Sequence, residues 1–240
     1  MAYEPFQRFG SAGRAIDQAQ YDEGLRRYML RVYNYMTLGL GITGAVALLT
    51  ASSPALMAAI FGTPLKWVVM LAPLGFVFFL SLRIDRMSAA KAQTVFWIYA
   101  AVMGLSMAAI FLVFTGTSIA RVFFITSAMF AGTSLLGYTT KRDLTNMGGF
   151  MMMGLIGILV AGLVNLFLQS SALHFAISVI GVIVFTGLTA WDTQRIKEVY
   201  DENHGHEITS KLAIMGALTL YLDFINMFTS LLHLFGDRSE

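Results

Sequence analysis

Seven long apolar runs separated by short polar segments dominate the chain, at about 32–51, 67–82, 94–114, 119–138, 147–168, 173–191 and 212–235. A bilayer core about 30 Å thick takes roughly 20 apolar residues of α-helix, with shorter or longer runs accommodated by tilt. The pattern therefore predicts an all-α integral membrane protein with seven transmembrane helices. The second run is the shortest and contains Pro73 and Gly75. A proline ring inside a helix removes a backbone donor, so a kink is expected there. Lys66 and Arg83 bracket that run, and their long stems can carry the charge out to the interfaces. Residues 1–30 are polar with mixed charge and read as a partly disordered tail. Residues 31–236 form the transmembrane domain, and 237–240 a short C-terminal tail.

The polar segments are not equivalent. Arg8, Arg14, Arg26, Arg27 and Arg31 precede the first run. Arg83, Arg86 and Lys91 follow the second, Lys141 and Arg142 the fourth, and Arg195, Lys197 and Lys211 the sixth. These four regions hold thirteen of the 16 basic residues, and the opposite side has Lys66, Arg121 and Arg238. The positive-inside rule then places the N-terminus in the cytoplasm and, with seven spans, the C-terminus outside. The arginines before the first run, with six further runs behind it, make that run a signal anchor rather than a cleaved signal.

Composition agrees with this reading and removes alternatives. Hydrophobic residues make up 57% and charged residues 12%, about half the charge of an average soluble domain. A net charge of +2 gives no nucleic-acid footprint. Cysteine is absent, which excludes disulfides and thiolate metal sites; the methionines read as helix packing. Gly39, Gly41 and Gly44 spell G-x-G-x-x-G. Inside an apolar run with no strand before it, the motif reads as close helix packing rather than a dinucleotide site. No nucleophile elbow or zinc helix is present, so no enzymatic activity and no cofactor are expected. His204 and His206 read as a solvated loop.

Of the 14 acidic residues, twelve fall in tails or loops. Asp192, at the end of the sixth run, and Asp223, near the middle of the seventh, do not. An aspartate at the centre of a spanning helix costs about 2.5–3.5 kcal/mol on insertion scales, and such residues mark functional sites by default. The two runs are antiparallel neighbours, and the midpoint between 192 and 223 falls in their connecting loop. The carboxylates are therefore expected to meet at similar depth, provided the sixth helix continues through TQRIKEVY. Two close carboxylates in a poorly solvated site do not both ionise easily and can share one proton. Thr219, Asp223, Asn226, Ser230 and His233 share one helix face, and Thr219, Asn226 and Ser230 are candidate pore-lining residues. On the residues alone, a structural interhelical network remains the alternative to a titrating joint on an ion path.

The segments GLTAWDTQRI (187–196) and LYLDFINMF (220–228) resemble the Bax inhibitor-1 family of transmembrane proteins, and the resemblance covers all seven runs. It implies six helices wrapped around a central C-terminal helix, and a pH-sensitive calcium leak governed by paired aspartates. Those positions fall on Asp192 and Asp223, which would also make any transient calcium contact. The resemblance further implies an arginine at the cytoplasmic end of the second helix that engages the pair; SLRIDRMS (81–88) puts it at Arg83. An acidic residue that some bacterial relatives carry in the second helix has no counterpart here. Calcium takes six to eight oxygen ligands, so a slow, poorly selective leak is expected in a bacterial inner membrane. The rival function implied is that of a non-conducting partner of a membrane-anchored AAA protease.

Overall fold

The computed structural model describes residues 5–239, with side chains from residue 20 onward. The described chain is helical almost throughout: α1 (Pro5–Ala51), α2 (Pro54–Phe61), α3 (Leu65–Arg83), α4 (Ala89–Met107), α5 (Gly116–Thr139), α6 (Thr145–Leu168), α7 (Ser171–Glu198) and α8 (His206–Phe235). Short 3-10 turns follow α3 and α4, at Ile84–Arg86 and Ala108–Leu112. All but α2 supply a segment long and apolar enough to cross a membrane.

Hydroxyl residues set several helix starts. Ser88, Thr115 and Ser170 precede α4, α5 and α7, and each accepts a hydrogen bond from a backbone N–H in the first turn, satisfying a donor the helix leaves free. Helix α6 ends on Gln169, whose left-handed backbone (φ 49°) stops the helix while its N–H donates to the Asn165 carbonyl. The second span keeps its helix through the buried Pro73.

Helix α8 is the most enclosed. Residues making up 67% of its most apolar window are buried, against at most 33% in any other span. It packs on α1, α4, α5 and α7 directly, whereas α3 lies chiefly on α4 and α6 on α7. Four of the six surrounding helices thus form the first layer around α8. Helix α6 buries none of its apolar window, as expected of a helix turned to hydrocarbon.

Two boundaries differ from the apolar runs, for one physical reason. Helix α7 runs to Glu198, seven residues past its apolar run, because Asp192, Thr193, Gln194 and Ile196 are buried against neighbouring helices. Likewise, packing on α1 begins inside the segment read as a tail: Leu25, Tyr28 and Met29 are core residues, and Tyr28 lies 5.4 Å from the Tyr200 ring. In both places polar residues occupy the remaining helix face and hide the buried one from a count of apolar residues.

Candidate functional site: a buried carboxylate pair

The register of α7 against α8 is set by small residues and ring contacts. A Cβ on Gly181 would meet Ser230, and one on Gly216 would meet Ile196. His174 and His233 meet near the far end, ring centroids 4.6 Å apart. In this antiparallel register Asp192 and Asp223 are level. They are 8% and 5% exposed, and their carboxyl groups face each other within reach of a shared hydrogen bond. Such a contact requires a proton on one partner. The buried Oδ2 of Asp223 has no hydrogen-bond partner among the described residues. A proton shared with Asp192 would satisfy it.

The surroundings hold the pair without supplying competing donors. Thr189 and Thr193 are fully buried, but each donates to the carbonyl four residues back in α7, both at 2.7 Å. Thr193 also meets Ser134 Oγ at 3.0 Å, and Ser134 meets the Tyr33 hydroxyl at 2.6 Å, a polar chain that ties α7 to α5 and α1. Gly137 lets α5 close onto α7: a Cβ there would lie 2.1 Å from the Ala190 carbonyl oxygen. Gln194 accepts from the Leu144 N–H and donates to the Arg142 carbonyl, both at 2.8 Å, anchoring the start of α6.

The predicted site residues fare unequally. Asp192 and Asp223 come together. Thr219 and Ser230 are half-buried on α8, Thr219 donating to the Met215 carbonyl at 3.1 Å. Asn226 is exposed and donates to the Leu222 carbonyl of its own helix at 2.8 Å. The expected interior stripe is therefore covered unevenly, with Asp223 buried, Thr219 and Ser230 half-buried and Asn226 exposed. Arg83 is exposed at the end of α3 and makes no hydrogen bond or ion pair to either aspartate among the described residues. The basic residue nearest Asp192 along α7 is Arg195, one helical turn on, with its guanidinium 5.5 Å from the centroid of the Trp191 ring. Its signal was the three-residue spacing D-x-x-R, which puts both side chains on one face; as a charge after an apolar run it counted only toward orientation. The described residues contain no group of three or more His, Cys, Asp or Glu side chains that could cage a metal.

A seven-span helical bundle with a protonatable carboxylate pair at the joint of its last two helices defines a class of polytopic membrane protein. The family model described as "Inhibitor of apoptosis-promoting Bax1" matches residues 25–240. The chain belongs to this family, Bax inhibitor-1. It is 51% identical to the uncharacterized protein RP147 of Rickettsia prowazekii over 92% of this chain and 93% of that one. It is 46% identical to the inner membrane protein YbhL of Escherichia coli K12, over 90% and 93% of the two chains. An uncharacterized membrane protein of Streptococcus pyogenes is 34% identical over 90% and 95%.

Proposed function

We propose that this protein is a pH-regulated cation leak of a bacterial inner membrane, with calcium as the permeant ion and Asp192–Asp223 as its sensor. The carboxyl–carboxylate contact between α7 and α8 carries this reading. Its strength depends on how many protons the pair holds, so pH biases the tie between two helices. Two carboxylates do not complete a calcium shell, which suits a transient contact during passage. We assign the ion path to the face of α8 that carries Asp223, along Thr219, Asn226 and Ser230. The inner-membrane location rests on the similarity to YbhL, and the basic side of the bundle is taken as cytoplasmic.

The test is calcium entry into liposomes containing only the purified protein, read with a trapped indicator across pH. Entry above protein-free liposomes, varying with pH, is expected; none at any pH would overturn the proposal. Deleting residues 1–19, short of the buried Leu25 and Tyr28, should leave the flux unchanged. A deletion that instead abolished an effect on a membrane-bound protease would favour the non-conducting partner. Arg195 supplies a further check, because a neighbouring cation favours an ionised carboxylate. Arg195→Gln should move the pH midpoint of flux upward, whereas Arg83→Gln should leave it in place. Equal profiles for wild type and Arg195→Gln would remove Arg195 from the sensor.

A further inference from the structure

Helices α1 and α5 both pack on α8, yet they leave a groove of about 1230 Å³ between them. Its α1 wall runs from Arg26 to Leu48, a rise of about 33 Å at 1.5 Å per residue, comparable with the roughly 30 Å hydrocarbon thickness of a bilayer. The glycine motif in this wall divides its duties. Gly39 is packed against the Phe96 ring, but a Cβ on Gly41 or Gly44 would meet nothing within 4 Å. Those two glycines widen the groove instead of receiving a helix of this chain. Around Gly44, Phe123 and Phe224 the groove adjoins a second apolar cavity of about 330 Å³.

Charge is confined to one end. Arg26 stands at the mouth, exposed and with no ion pair among the described residues. Tyr138 lines the same end, and its carbonyl accepts from Lys197 Nζ at 3.0 Å, leaving that ammonium two further donors. A long apolar channel with Arg26 at its mouth and Lys197 held on the backbone of a lining residue complements a molecule with a long hydrocarbon body and a single anionic head. We propose that the α1–α5 groove binds an anionic phospholipid of the surrounding bilayer, its acyl chains along Gly41 and Gly44 and its phosphate at Arg26 and Lys197.

The experiment is native mass spectrometry of the full chain released from nanodiscs holding equal amounts of phosphatidylglycerol and phosphatidylcholine. Wild-type protein should retain phosphatidylglycerol preferentially. Arg26→Gln should cut that preference about five-fold, the worth of one basic residue near an anionic headgroup. Gly44→Leu should remove one retained lipid by filling the groove; Gly157→Leu, also at an open glycine but on α6, should not. Equal retention of the two lipids, or a Gly44→Leu variant as loaded as wild type, would overturn the proposal. So would disulfide-linked dimers of Gly44→Cys in native membranes, because the chain has no other cysteine and a second copy would then occupy the groove.

Discussion

Replacing Asp192 or Asp223 by asparagine is expected to flatten the pH dependence of calcium entry while leaving the protein folded. Asparagine keeps the size of aspartate and can still hydrogen-bond across the α7–α8 joint, but it does not titrate. A one-proton gate changes its protonated-to-ionised ratio about tenfold per pH unit. Either substitution puts an amide in the contact, which can donate to the remaining group when it is ionised and accept from it when it is protonated, so the tie no longer depends on the proton. Because the two carboxyls act as one titrating unit, the double variant should be little worse than either single one, a departure from additivity expected of residues in direct contact. Thermal unfolding midpoints near wild type would show that the fold is intact. Wild-type pH profiles for both single variants would reduce the pair to a structural link between helices.

The second large effect concerns Gly137, where α5 meets the backbone of α7 two residues before Asp192. An added methyl group would lie 2.1 Å from the Ala190 carbonyl oxygen, and a backbone atom held in a helix cannot swing away as a side-chain tip can. Gly137→Ala should therefore force α5 from α7 and destabilise the protein by about 1–3 kcal/mol, the usual range for overpacking. Thermal unfolding in detergent should show this as a lower midpoint. Gly132, five residues earlier on α5, has nothing within 4 Å of its Cβ position. Gly132→Ala should thus be neutral, or slightly stabilising through lost chain entropy in the unfolded state. Equal midpoints for the two variants would mean that the α5–α7 approach does not limit stability. Since that approach also positions Asp192, Gly137→Ala should disturb the pH profile of flux as well.

The seven spans and the singularity of Asp192 and Asp223 were legible in the order of residues alone. Hydrocarbon accepts few unpaired polar groups, so spans must be nearly free of charge and a retained aspartate stands out against them. The antiparallel spacing was enough to bring the two carboxylates level. Only the tertiary structure decided which side of each helix is covered. Thr219, Asn226 and Ser230 share a face by spacing, but whether that face meets protein depends on how α8 sits among α1, α4, α5 and α7; Asn226 turned out exposed. The same holds for the basic residues. Arg83 and Arg195 are alike as charges beside apolar runs, but the continuation of α7 to Glu198 keeps Arg195 one helical turn from Asp192, while α3, lying on α4, holds Arg83 exposed at its end. The glycine motif divided in the same way, Gly39 against a neighbouring ring and Gly41 and Gly44 beside open space. Periodicity records what each helix could bury, and the packing of the other helices determines what it does bury.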